Sequence, residues 1–256
     1  MSLPLIDYGR TGRTLDFPVF DAHAHVGNFT HVISPSLEKQ VAEMDHVGVQ
    51  VQMVSSIESI YGDISRGNDQ AAAAAVRYPG RIFAYCQISA RYPELIRSEM
   101  ERCFRNPVFK GVKVYQVGVR YDDPLFTPVW EFARDRGVPV LAHTWGGDVK
   151  GFDKVAAAFP EVAFLAGHAG SGFAYQPYVD MAKRHRNFYL DLTYSREHTN
   201  MIEYFVEQVG TGQMVWGTDV PTFSISQQVG KVLYARIPDE AKRAILGGTA
   251  FKLFKI

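Results

Sequence analysis

A chain of 256 residues, 46% hydrophobic and 21% charged, has apolar material for one large globular domain or two small ones. Lys plus Arg equals Asp plus Glu at 27 each, so the composition carries no electrostatic footprint for nucleic acid or an anionic membrane. Cys86 and Cys103 share no close-spaced motif, no segment approaches a membrane span, and the opening "MSLPLIDYGR" lacks a signal-peptide apolar run, so a reduced, cytoplasmic setting is expected.

Eight short apolar runs rich in Val, Ile, Phe and Tyr follow in chain order. The first, "FPVFDAHAHV", puts Asp21, His23 and His25 on one face by strand alternation. Two imidazoles buried side by side need partners for their nitrogens. A divalent metal supplies one kind and backbone groups another, so His-x-His by itself leaves both readings open. "SPSLEKQVAEMDHVG" then reads as a helix, capped by Ser36 and stopped by Gly48. The strand "VQVQMVSSI", the alanine-rich helix "NDQAAAAAVRYPG" and the strands "RIFAYCQIS" and "FKGVKVYQV" come next. Lys113 shares its strand face with Gly111 and Tyr115, which aims it into a barrel. The helix "DPLFTPVWEFARDRG", again ending in glycine, leads to the strand "VPVLAHTW". Helices "VKGFDKVAAAFP", "YQPYVDMAKRHR" and "NMIEYFVEQVG" alternate with strands "VAFLAGHAG", "NFYLDLTYS" and "MVWGTDVP", and "PDEAKRAILGGTAFKLF" reads as one or two closing helices.

Alternating strands and helices imply right-handed crossovers and a parallel sheet. Eight units in a chain of this length predict a (β/α)8 TIM barrel rather than a doubly wound open sheet. No glycine-rich phosphate loop follows the first strand to favour the open sheet. No linker or low-complexity tract divides the chain, so residues 1–256 are expected to form a single barrel domain.

Active sites of such barrels form at the C-terminal ends of the strands. His23 and His25 end the first strand, His143 the fifth, His168 the sixth and Asp219 the eighth. The remaining histidines, His31, His46, His185 and His198, fall in helices or loops. Arg91, Arg120, Trp145, Tyr194 and Arg196 follow strands three, four, five and seven. An arginine there either clamps a substrate carboxylate or is a solvated loop charge.

The order D-x-H-x-H on strand one, His on strands five and six, and G-T-D on strand eight resembles the amidohydrolase superfamily. More narrowly it resembles the amidohydrolase family 2 branch, which includes metal-dependent hydrolases and aminocarboxymuconate-semialdehyde-type decarboxylases. "DPLFTPVWEFARDRGVPVLAHT", "NFYLDLTYS" and "ILGGTAFKLF" extend the resemblance nearly end to end; Thr249 departs from the Asn common after the paired glycines, at a position of helix packing. The resemblance implies a mononuclear site with His23, His25, His143 and Asp219 as ligands. Zn²⁺ suits that donor set best, with Mn²⁺, Fe²⁺ or Co²⁺ as substitutes. It further implies an open position for an activated water, Asp219 as proton carrier, and His168 as either another ligand or an acid–base group. Asp21 would support the ligands rather than join them. A lysine near the position of Lys113 is carbamylated in some superfamily members and bridges two metals. The rival reading, a lysine that binds substrate or neutralises a buried acid, goes with a single ion. Lys113, Tyr115, Arg91, Arg196 and Trp145 are the expected substrate contacts.

The leading expectation is a metal-dependent hydrolase of a small-molecule amide, ester or lactone. The alternative is a non-oxidative decarboxylase, a lyase holding a small carboxylated substrate on the same ligands; CO2 release without net hydrolysis separates the two. A TatD-like metal-dependent nuclease also opens with D-x-H-x-H, but it would want a strand-four glutamate where Lys113 stands. A non-catalytic binding barrel would have lost ligands, and none is missing here. Some lactonases of the branch use no metal, which challenges the ion more than the fold. The expected partner is a small molecule, neither nucleic acid nor membrane, with a homo-oligomer left open.

Overall fold

The computed structural model describes residues 4–28, 35–115, 118–145, 149, 151–193 and 198–256. Helix α1 (Leu5–Thr11) precedes β1 (Phe20–Val26), α2 (Leu37–Val47), β2 (Val51–Ser56), α3 (Ile57–Tyr61), α4 (Ile64–Arg77) and β3 (Ile82–Ser89). There follow α5 (Ile96–Cys103), β4 (Phe109–Tyr115), α6 (Thr127–Arg136), β5 (Val140–His143), α7 (Phe152–Ala158) and β6 (Phe164–Gly167). The chain ends with α8 (Tyr175–Arg184), β7 (Phe188–Asp191), α9 (Met201–Val209), β8 (Met214–Val215), α10 (Ile225–Tyr234), α11 (Asp239–Arg243) and α12 (Thr249–Phe254). The eight strands pair in sequence order, each neighbouring pair parallel. Backbone beyond the short β8 ladder brings the two edges together: Ala22 N donates to Trp216 O at 2.9 Å and His25 N to Val220 O at 2.8 Å. This is the (β/α)8 barrel that the alternating pattern predicts. Among the described residues no helix is long and apolar enough to cross a membrane.

Local chemistry explains the punctuation. Ser36 accepts from Lys39 N at the start of α2, and Gly48 closes the helix with φ of 97°. A Cβ at Gly48 would lie 2.5 Å from the Leu15 carbonyl oxygen, so the dihedral and the close approach both require glycine. Between sheet and helices, Phe126 stacks on Trp130 and Phe164 meets Trp130 edge-on. Inside the barrel, Phe20, Met53, Tyr85, Leu141 and Leu165 make a dry floor. The closing helices plug it, with Phe254 stacked on Phe20 at 5.1 Å and Phe251 edge-on at 5.0 Å.

One expectation from strand alternation fails. The register between β1 and β2 slips between Asp21 and Ala24. Phe20 and Ala22 belong to the inner floor, whereas Ala24 and Val26 belong to the outer core. The irregularity reverses the parity of the strand, so Asp21 does not share a face with His23 and His25. It looks toward the helix layer instead, accepting from Gln52 Nε2 at 2.7 Å, and Gln52 accepts in turn from Gln40 of α2 at 2.6 Å. Asp21 also accepts from His23 N, Thr218 N and Thr218 Oγ1, at 3.1, 3.0 and 2.6 Å. It laces the first strand to the eighth and steadies backbone, not an imidazole. Its complete burial lifts the carboxyl to about 7 despite those bonds.

Candidate active site

Above the apolar floor the side chains change character. His23 is fully buried, and its Nδ1 lies 2.6 Å from Asp191 Oδ2. Burial, reinforced by the positive field of Lys113 and the neighbouring imidazoles, holds His23 well below the usual histidine range. The neutral ring gives Nδ1–H to the carboxylate and turns the Nε2 lone pair toward the centre of the barrel. His25 is held at both ring nitrogens, with Nδ1 3.0 Å from Ser55 Oγ and Nε2 3.0 Å from Asp219 Oδ1. His23 Nε2 stands 3.7 Å from that same oxygen. Burial acts to raise Asp219, but the hydrogen bond from His25 and the field of His168, His25 and Lys113 outweigh it and hold the carboxyl below its usual range.

His23, His25 and Asp219 each offer one ligand atom, and those atoms all lie within 4.8 Å of one another. Two bonds of about 2.1 Å span at most about 4.2 Å, so one cation can reach Asp219 Oδ1 together with either imidazole. Imidazole nitrogens, a carboxylate and locked outer partners make a donor set that fits a divalent ion. Lys113 complicates it: the side chain is buried and its Nζ lies 2.9 Å from His23 Nε2. Burial lowers this lysine to about 8, with Asp219 and Asp191 pulling the other way.

His168 stands between His23 and His143, with ring centroids 5.0 and 4.8 Å away. It donates Nδ1–H to the Thr193 carbonyl, leaving Nε2 as an acceptor, and burial brings it down to about 4. Burial brings His143 to about 2. The His143 ring lies 4.3 Å from Tyr115 and is parallel to Trp145 at 6.3 Å. His143 is not part of the close three-residue group. His168 and Asp219 both have positive φ, 66° and 58°, a conformation that costs a non-glycine residue about 1–2 kcal/mol.

A cavity of about 190 Å³ opens over this cluster. Its described lining includes His25, His143, His168 and Asp219, together with Lys113, Tyr115, Trp145, Ile60, Tyr61, Thr222 and Phe223. Arg91 is exposed and does not line it, and Arg120 pairs with Asp122 on the surface. Arg196, Tyr194 and His31 lie outside the described residues. His185 binds Asp153 at 2.7 Å, away from the cluster. A larger groove of about 940 Å³ lies alongside α3 and α4 and shares Tyr61, but none of its described lining residues is a histidine.

The residues that sequence reading missed are Asp191 and Ser55, which orient the two histidines of the motif. Asp191 had a signal: it is an acid at the end of an apolar run, "FYLD", the feature that picked out Asp219. Gly217 is a third. A Cβ there would lie 2.3 Å from Thr193 Oγ1 and 2.6 Å from His23 Cβ. Gly217→Ala is expected to lose about 1–3 kcal/mol in a thermal melt and to loosen ion binding, because His23 must shift. An unchanged melt and ion affinity would remove that constraint.

A family profile described as Amidohydrolase matches residues 21–256. The chain belongs to the amidohydrolase family. Among curated relatives it is similar to gamma-resorcylate decarboxylase of Polaromonas sp. (strain JS666 / ATCC BAA-500), 22% identical over 290 residues, covering 86% of this chain and 87% of the relative. The fold is similar to that of 5-carboxyvanillate decarboxylase LigW from Sphingomonas paucimobilis, with TM-score 0.74 and 18% identity over 93% of this chain and 99% of that one. It is also similar to 5-carboxyvanillate decarboxylase from Novosphingobium aromaticivorans, complexed with manganese and 4-hydroxy-3-methoxy-5-nitrobenzoic acid. There the TM-score is 0.73 and the identity 14%, over 96% of this chain and 99% of the other. Membership makes this barrel an enzyme of the amidohydrolase superfamily with a site that can bind a metal.

Proposed function

We propose that this amidohydrolase is a metal-dependent, non-oxidative decarboxylase of a small hydroxylated aromatic carboxylate. The observation that carries the reading is the cavity: a metal-competent cluster opens directly into a space walled by Tyr61, Tyr115, Trp145 and Phe223. At about 190 Å³ it is smaller than the roughly 300–1,000 Å³ of drug-sized sites and suits one planar ring. The named activities of the relatives favour decarboxylation over the hydrolysis that heads the sequence-based expectations.

His23, His25 and Asp219 would hold the ion, with His143 as a fourth donor from across the cavity. When bound, the ion supplies positive charge that fixes the substrate's oxygens and stabilises negative charge developing on them. With the ion in place, Ser55 would accept the Nδ1–H of His25 and the Nε2 lone pair would face the ion. Asp219, ionised, accepts the proton of the substrate hydroxyl and delivers it to the ring carbon that bears the carboxylate. As the carbon–carboxylate bond breaks, its electron pair returns to the ring and CO2 leaves; the arene departs as phenolate and Asp219 is again ionised. His168 Nε2 accepts a hydrogen bond that orients the substrate, and Tyr115 and Trp145 hold the ring.

The test is a panel of hydroxybenzoates with Mn²⁺ or Zn²⁺, reading CO2 by a coupled assay and the arene by chromatography. One CO2 per arene, abolished by chelator and restored by the ion, is the expected result. Turnover of lactones, esters or amides with no CO2 would overturn the lyase reading in favour of hydrolysis.

A further inference from the structure

The Nε2 atom of His23 has one lone pair, and two cations have a claim on it. Its tautomer is set by the 2.6 Å contact of Nδ1 with Asp191, so Nε2 can only accept. In this structure the acceptor is used by Lys113, whose Nζ sits 2.9 Å away on a side chain 1% exposed. A metal bonded to the same nitrogen would stand about 2.0–2.1 Å from it along the same direction. That point falls on the line from nitrogen to ammonium, far inside any contact distance between the two. An ion on that nitrogen and the Lys113 ammonium at this position therefore exclude one another.

We propose that Lys113 is an internal competitor of the metal, holding the Nε2 atom of His23 until an ion displaces it. The inference rests on the metal dependence proposed above. Lysine suits this part: its charge is compact, and its flexible four-carbon stem can withdraw without moving β4. A carbamylated lysine would do the opposite, since an anionic carbamate adds a ligand rather than competing for one. The ammonium also gives the buried His23 Nε2 a hydrogen-bond partner, which a neutral side chain would not replace.

Equilibrium dialysis of Mn²⁺ and Zn²⁺ against the full chain tests this without reference to turnover. Lys113→Met, which keeps the length of the stem and drops the charge, should bind the ion at least about 10-fold more tightly than wild type. The ion-free variant should melt below wild type, and the ion should raise its Tm by more than it raises that of wild type. Equal affinities overturn the competition, and loss of ion by the variant overturns it in favour of lysine as a ligand. If neither protein binds an ion, the metal dependence fails as well; ion binding with no CO2 release from any hydroxybenzoate counts against the reaction alone. Should Lys113→Met not fold, crystals of wild type with and without Mn²⁺ decide. Nζ must leave hydrogen-bond distance of His23 Nε2 when the ion enters, and an unchanged contact overturns the proposal.

Discussion

Asp219→Asn is expected to lower turnover about 10²–10⁴-fold while leaving the barrel folded. Asp219 has φ of 58°, and Asn is among the few residues that tolerate that region. Its backbone N–H bonds the His23 carbonyl at 2.8 Å, a contact the substitution retains. The amide oxygen can still face His25 Nε2, so ion affinity should fall much less than turnover. What disappears is a carboxylate able to take and return a proton. Measuring kcat for CO2 release beside a thermal melt and an ion count separates these effects. Wild-type turnover in Asp219→Asn would remove the residue from the chemistry, whatever it does for the ion.

Asp191 makes the second large prediction, although it never meets the cavity. One of its oxygens holds His23 Nδ1, and the other accepts from Thr193 N at 3.1 Å and from Thr193 Oγ1. The carbonyl of Thr193 accepts from His168 Nδ1. One carboxylate and its neighbour two residues on thus position two of the four histidines. Asp191→Asn should weaken ion binding about 10–100-fold, because the amide no longer makes His23 a strong donor. Asp191→Ala should add about 1–3 kcal/mol of instability for each buried donor left unpaired. Dialysis reads the first effect and denaturant unfolding the second. Undiminished ion affinity in Asp191→Asn would show that the 2.6 Å contact serves folding only.

Much of this was legible in the residues. Helix α2 starts and stops where Ser36 and Gly48 say it should, because a hydroxyl at the first turn and a residue with positive φ at the last are local requirements. Helices α1, α3, α5 and α10 were harder to see. Helix α5 buries Ile96, Met100 and Cys103 but also the charged Glu99, which bonds Asn68 at 2.8 Å and Arg102 at 2.8 and 2.9 Å. A buried carboxylate spoils an apolar stripe, and the Asn68 partner that helps to satisfy it comes from α4. The face of Asp21 is hidden from the sequence for a related reason. Alternation is a rule for regular strands, and a register slip between Asp21 and Ala24 depends on the neighbouring strand.

The amino-acid order by itself determined the repeating strand–helix unit and the rim on which His23, His25, His143, His168 and Asp219 would meet, since hydrophobic period and strand ends are properties of short segments. Only the tertiary structure decided which atoms face which. It gave His23 to Asp191 and Lys113, His25 to Ser55 and Asp219, and Asp21 to Gln52 and Thr218. Those pairings join residues as many as 197 positions apart, and their direction follows from closing the barrel. A hydrogen bond needs its heavy atoms within about 3 Å of one another. No spacing along the chain encodes such distances until the first strand lies against the eighth.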